Sequence, residues 1–250
     1  MPRRLHLLRD SFPDRPAFGT AVSRAILGRV ASGELPPTIR LHRPGRELAF
    51  SRQDRAAAGF DRAVAAACGL DFEPVLRLAG GRAAAFHEGT LALAQAWPTA
   101  DPARTSRDRF DGVSATIAAA LRGLGVDARV GEVPGEYCPG AWSVNARGKT
   151  KLVGIGQRLI SGGAHVGAVI VVTGSELLRT VLEPVYEALE LDWDPATVGA
   201  VDDEVAGVTL DDVEGAIVAE LSRSSALEPV KLDAETLAAA QKLAGEHRVG

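Results

Sequence analysis

The turn Glu136-Tyr137-Cys138-Pro139-Gly140 sets a thiol between an aromatic residue and a Pro-Gly pair, off any apolar helix face. Site residues concentrate on such loops, and a thiol there becomes a nucleophile when nearby positive charge lowers its pKa. The run Lys149-Thr150-Lys151-Leu152-Val153-Gly154-Ile155-Gly156-Gln157-Arg158 supplies that charge through Lys151 or Arg158. Lys151 opens a strand headed into the core, and a lysine is almost never buried without a partner. As a point charge at an acyl carbonyl it would stabilise the tetrahedral oxyanion formed by thiol attack. Lys149 is a second candidate for that place. Without these roles, Cys138 is a structural thiol and Lys151 a solvated edge cation.

A second stretch runs from Arg77 to Leu91 through Gly80-Gly81, Ala83-Ala84-Ala85 and His87. Gly80-Gly81 makes a turn between two short strands in any fold. The three alanines leave room for an aliphatic chain. His87 closes a strand, where an imidazole is a structural hydrogen-bonding group or a proton shuttle. His165, in the Gly162-Gly163-Ala164-His165 joint, reads as structural. Gln157 and Arg158 alternate faces of one strand, so only one of them can face a pocket. Arg3-Arg4 and the trio Arg40, His42 and Arg43 read as solvated faces, which an acidic carrier protein would suit. There is no Walker loop, Gly154-Ile155-Gly156 lacks the third glycine and following helix of a dinucleotide fingerprint, and no metal-ligand cluster is expected.

These residues must be held by elements that the apolar periodicity outlines. A helix is expected over Ala17 to Ser32, with Val22, Ile26, Leu27 and Val30 at helical spacing. Thr38 to His42 and Glu47 to Phe50, joined across Pro44-Gly45, read as hairpin strands. From Asp54 to Gly69 a helix would bury Phe60, Val64 and Cys68, which makes Cys68 a core residue. Short strands are expected at Pro74 to Leu78, Ala83 to His87 and Leu91 to Ala94. An amphipathic helix then carries Phe110, Val113, Ile117, Leu121 and Leu124. Central strands follow at Trp142 to Ala146, Lys151 to Ile160 and Ala164 to Val172, the last a continuous apolar run. Ser175-Glu176 begins a helix in which Pro184 starts a second helix or kinks the first. Thr209 to Asp212 has capping-box spacing ahead of Val213, Ile217 and Leu221, and a last helix runs from Asp233 to about His247.

At 250 residues, with 46% apolar and 24% charged residues, the chain has the composition of a folded protein with a full core. A net charge of −4 argues against a broad nucleic-acid or anionic-membrane footprint. Two cysteines make no disulfide scaffold, and the N-terminal apolar run breaks after Leu8, so a cytoplasmic protein is expected.

Taken in order, Tyr137-Cys138-Pro139-Gly140, the aromatic-Ser-Val-Asn strand at Trp142, Lys-x-x-Gly-x-x-Gln-Arg from Lys151, and Gly-Gly-Ala-x-Val-x-x-x-Ile-x-Val from Gly162 resemble the lipoyl and octanoyl transferases. The likeness is to the amidotransferase branch of the lipoate ligase and biotin ligase superfamily, and it covers roughly Thr20 to Val172. The Arg77 to Leu91 stretch resembles the superfamily's acyl-pocket signature, except that Arg82 stands where ATP-using ligases carry a third glycine. The resemblance implies an α+β fold with a mixed sheet, helices mainly on one side and a small C-terminal helical tail. Residues 1–200 would form the catalytic domain and 201–250 the tail. It implies ping-pong transfer of an octanoyl or lipoyl group through a Cys138 thioester to a lysine of a lipoyl-acceptor domain of the 2-oxoacid dehydrogenases. The donor would be the glycine cleavage H protein or an acyl carrier protein, with no cofactor. Cys138 and Lys151 are the implied catalytic pair, and Arg77, Gly80, Gly81, His87, Gly154 and Gln157 the implied substrate contacts. The alternatives are an ATP- and Mg-dependent lipoate ligase, which His87 suits, and a non-catalytic protein that binds lipoate or lipoyl domains.

Overall fold

The computed structural model describes residues 3–249, so Met1, Pro2 and Gly250, and the side chain of Arg3, lie outside the description. The first half contains β1 (Arg3–Leu8), α1 (Pro16–Ala31), β2 (Thr38–His42), β3 (Glu47–Phe50), α2 (Arg52–Arg55), α3 (Phe60–Gly69), β4 (Glu73–Leu76), β5 (Ala84–Phe86) and β6 (Thr90–Pro98). The second half contains α4 (Ser106–Gly123), β7 (Ala128–Val130), β8 (Val144–Ala146), β9 (Thr150–Ile160), β10 (Gly163–Val171), α5 (Ser175–Ala188), α6 (Val201–Glu204), α7 (Leu210–Ser222), β11 (Ser225–Pro229) and α8 (Ala234–Leu243). No helix among the described residues is long and apolar enough to cross a membrane.

Eight strands form a mixed sheet in the order β11-β1-β2-β6-β10-β9-β8-β7, and three form a small sheet in the order β4-β3-β5. The expected hairpin of β2 and β3 is therefore not formed. The two strands belong to different sheets, and Pro44-Gly45 carries the chain between them.

Strand alternation gives the large sheet two apolar faces. On one, Ile39, Leu41, Leu91, Leu93, Val166 and Ile170 pack under α4 and α7 through Val113, Ile117, Leu121, Val213 and Ile217. On the other, α1 covers the β2 end with Ala21, Val22, Ala25 and Ile26, and α8 packs on α1. Helices thus lie on both faces, not mainly on one. The small sheet has its own core with α3 and α5, built on Leu48, Phe50, Phe72, Leu178, Val181 and Val185.

Several local elements differ from the pattern expected of the sequence. The stretch from Asp54 to Gly69 is two helices, because Ser51 and Asp54 close a capping box around the first turn only. In α3 Ala63 and Ala67 are fully buried, Phe60 and Val64 of the expected stripe pack half-buried against the same core, and Cys68 is exposed. The C-terminal segment contains an unexpected strand, β11, paired parallel to β1 at the sheet edge. Pro184 lies inside a continuous α5. The capping box at Thr209 forms as expected, with Asp212 N–H donating to Thr209 Oγ1 and Thr209 N–H donating to Asp212 Oδ2.

Candidate active site

Cys138 lies in the loop between β7 and β8 with φ +43°, a left-handed conformation that a non-glycine residue adopts only when its surroundings enforce it. The enforcing contacts come from three directions. Tyr186 Oη on α5 accepts the Cys138 N–H at 2.8 Å and donates to the Ala83 carbonyl at 2.9 Å. Lys151 Nζ donates to the Tyr137 and Cys138 carbonyls at 2.9 and 2.8 Å. Glu136 Oε1 accepts from Lys151 Nζ at 2.9 Å, Gly140 N–H at 3.1 Å and Ser143 Oγ at 2.6 Å, while its Oε2 accepts from Val133 N–H at 3.0 Å.

Lys151 reaches this loop because β9 carries a bulge. Asn145 faces Lys151 but Val144 faces Val153, so Leu152 is an extra residue. Leu152 and Val153 both enter the core under α4, and the side chain of Lys151 turns to the opposite face, beside Gly154. Lys149, the other candidate, is exposed in the β8–β9 turn. The oxyanion contact expected of Lys151 is not what this geometry offers. An ammonium has three N–H donors, and all three are engaged by Glu136, Tyr137 and Cys138.

The thiol is contacted instead by Arg77 Nη2 at 3.5 Å and by the Arg82 N–H at 3.2 Å. Burial pushes the thiol pKa up, but the charges of Arg77 and Lys151 and the two hydrogen bonds outweigh it and bring it below the ordinary thiol value. The approach needs a glycine at 81. Its φ is +106°, and a Cβ there would stand 2.8 Å from Sγ and closer still to the Arg77 guanidinium. Gly80 is exposed, with nothing near a virtual Cβ.

A cavity of about 120 Å³ opens beside the thiol, lined by Cys138, Arg77, Lys151 and Gly154. That is room for about four waters at the volume each takes in the liquid. Its floor is the α1-facing side of the large sheet, where small residues align across strands: Gly154, Val169, Ala92 and His42 in one row, Gly156, Gly167, Ala94 and Arg40 in the next. Of the three expected alanines, Ala84 lines the cavity, while Ala83 and Ala85 pack into the small-sheet core.

Gln157 and His87, also implied as substrate contacts, lie away from the cavity. Gln157 turns to α4, accepting from Arg109 Nε at 2.8 Å and donating to Ser106 Oγ at 3.0 Å. Arg158, on the other face, lines a separate groove with Arg77, so neither member of the pair enters the cavity beside the thiol. His87 is 2% exposed, its Nδ1 accepts the Gly89 N–H at 3.0 Å, and burial lowers its pKa, so it is a neutral imidazole that fixes the β5–β6 turn.

Neither Glu136, within the thiol turn, nor Tyr186 carries a sequence signal of its role. Arg40 and His42 are not solvated, and His165, expected to be structural, faces the cavity. Arg40 is completely buried, and all three line the cavity with Glu47. The strict alternation of Thr38-Ile39-Arg40-Leu41-His42 places Arg40 and His42 on one face, but only the packing of α1 shows that this face is covered.

A family model described as the lipoyl protein ligase A/B catalytic domain matches residues 15–222. Among curated relatives, the octanoyl-[GcvH]:protein N-octanoyltransferase of Geobacillus kaustophilus is 26% identical over 65% of this chain and 57% of its own. That of Anoxybacillus flavithermus is 30% identical over 67% of this chain and 59% of its own. The chain thus spans somewhat under three fifths of the length of these relatives. A bi-partite lipoate protein ligase of Thermoplasma acidophilum, solved in a study of that ligase and its E2 lipoyl domain, superposes with a TM-score of 0.74 at 19% identity, over 98% of this chain and 93% of that one.

Proposed function

Because the chain belongs to the lipoyl protein ligase A/B catalytic-domain family, we propose that it is an acyltransferase that carries an octanoyl or lipoyl group as a thioester on Cys138. The observation that supports this most is the thiol itself, held at the cavity wall against Arg77 and the Arg82 N–H with its pKa lowered. By the names of its relatives, the donor is an octanoylated GcvH and the acceptor a protein amine. An acyl carrier protein is the alternative donor, and the lipoyl domains of 2-oxoacid dehydrogenases are the proposed acceptors.

In the first half-reaction the Cys138 thiolate attacks the acyl carbonyl, a C–S bond forms, and the C–N bond to the donor lysine breaks as that nitrogen takes up a proton. In the second, the acceptor lysine amine attacks the thioester, a C–N bond forms, the thiolate leaves and the amine loses a proton. Arg77 is the cation placed to stabilise both the thiolate and the developing oxyanion. Lys151 is proposed as a positioning residue. It fixes the Cys138 loop through two carbonyls and adds its charge to the thiolate side of the equilibrium. No nucleotide enters this scheme, and the reaction belongs in the cytoplasm, where both partner proteins would meet it.

The test supplies octanoyl-GcvH and an unmodified lipoyl domain without ATP or Mg²⁺. Transfer by the unaltered chain and none by Cys138→Ala of unchanged circular dichroism is the expected result. Transfer that appears only with ATP points to a ligase, and none under any condition points to a binding protein.

A further inference from the structure

At the end of the cavity away from Cys138, the lining changes from small and apolar to polar. The sheet rows run from Gly154 and Gly156 on β9 to His42 and Arg40 on β2, three strand spacings or about 14 Å. There Arg40 is completely buried. Its Nε donates to the Asp10 carbonyl at 2.8 Å, and its Nη1 to the Gly19 carbonyl at 2.9 Å and Ser23 Oγ at 3.2 Å, but its Nη2 has no partner among the described residues. All of those acceptors are neutral. Glu47, 8% exposed, and His165, 4% exposed, line the same end, and neither side chain makes a hydrogen bond or ion pair among the described residues. His42 completes the cluster, and burial first, then the nearby charges of Arg40 and His165, disfavour its charged form.

A plain alkyl terminus would leave these groups dry. An unpartnered buried donor costs its full desolvation, and a buried guanidinium whose direct hydrogen bonds all go to neutral acceptors costs more, even with the Asp10 and Glu47 carboxyls near enough to favour its charge. Burial also raises the Glu47 carboxyl to about 8 and lowers His165 to about 4, so at neutral pH the end presents one cation, a protonated carboxyl and neutral imidazoles, all able to donate. A donor-rich end is complementary to an oxygen acceptor.

We infer that the acyl group this cavity takes is a medium-length chain with an oxygen function, hydroxyl or carboxylate, on its distal carbon, received by Arg40, Glu47 and His165. The inference rests on the reading of the cavity as the acyl site, and it sets which acyl group is preferred. Octanoyl then becomes a substrate that binds without satisfying the far end.

The experiment separates this from the thioester chemistry by using Cys138→Ala protein and unreactive amides that mimic an acylated lysine. N-methyl octanamide, N-methyl ω-hydroxyoctanamide, the ω-carboxyheptanoyl N-methylamide and N-methyl lipoamide are titrated by calorimetry. At least one of the two oxygen-bearing amides is expected to bind about tenfold or more tighter than octanamide, and the hydroxyl and carboxylate arms distinguish a neutral from an anionic terminus. Glu47→Leu and His165→Leu, which keep volume and leave the Arg40 contacts to α1 intact, should each erase most of that preference. Octanamide or lipoamide binding as tightly as both oxygen-bearing amides overturns the inference, as does a preference that survives both substitutions. If the oxygen preference holds while the unaltered protein never acquires an acyl group, the catalytic reading falls and this one stands.

Discussion

Lys151 Nζ and Glu136 Oε1 meet at 2.9 Å with 1% and 0% of their side chains exposed, and the pair lies directly behind the backbone of Cys138. Breaking a buried pair leaves one uncompensated charge. Lys151→Ala is therefore expected to cost about 3–5 kcal/mol of stability, whereas Lys149→Ala, on the exposed turn, should stay within about 0.5 kcal/mol. Urea denaturation of the two variants measures both. Equal losses would contradict the role of the pair as the anchor of the thiol loop.

The Arg77 guanidinium should be visible in the reactivity of the thiol. The thiolate fraction rises with pH, and a lowered pKa moves that rise to lower pH. The rate of Cys138 alkylation by iodoacetamide should therefore level off below the pH range of an ordinary thiol. In Arg77→Met the inflection should move up, because burial then acts with one opposing charge fewer. The modified peptides are quantified by mass spectrometry, which separates Cys138 from the exposed Cys68. An unchanged profile in Arg77→Met would remove Arg77 from the account.

Gly80 and Gly81 are adjacent in sequence and opposite in expectation. Gly81→Ala places a methyl 2.8 Å from Sγ at a positive φ, so it should displace Arg77 or the thiol and abolish acyl transfer. Gly80→Ala meets nothing within 4 Å and should retain activity. Comparing transfer by the two purified variants checks the register of the loop.

Tyr186→Phe removes the acceptor of the Cys138 N–H and the donor to the Ala83 carbonyl. Leaving those buried groups unpaired should cost about 1–3 kcal/mol each, and the Cys138 backbone loses one of the contacts that hold its positive φ. A lowered Tm together with a lowered transfer rate at a temperature where the variant is still folded is the expected pair of results.

How far the sequence reveals these arrangements depends on whether the signal is local. The thiol turn, the capping box at Thr209 and the apolar stripe of α4 are local patterns, and each appears where the spacing puts it. The failures come from packing between distant elements. In α3 the expected stripe of Phe60, Val64 and Cys68 reaches the small-sheet core through its first two members, but the fully buried face is that of Ala63 and Ala67 and leaves Cys68 exposed. Arg40 and His42 have the alternation of a solvated face, but α1 covers that face. Gln157 faces α4 because of its strand parity, while the bulge at Leu152 puts Lys151 on the face that parity alone would deny it. Neither a bulge nor the partner of a buried ion pair has a composition signature in one sequence.

In the proposed reaction the acyl group rests on Cys138, and no nucleotide is needed to put it there. The most direct measurement is the intact mass of the protein after incubation with octanoyl-GcvH, without ATP or Mg²⁺ and without acceptor. The expected result is one added octanoyl mass that hydroxylamine removes, that maps to the Cys138 peptide, that is missing from Cys138→Ala, and that is discharged when an unmodified lipoyl domain is added. Transfer to the lipoyl domain by a protein that never carries this mass, or by Cys138→Ala, would contradict it.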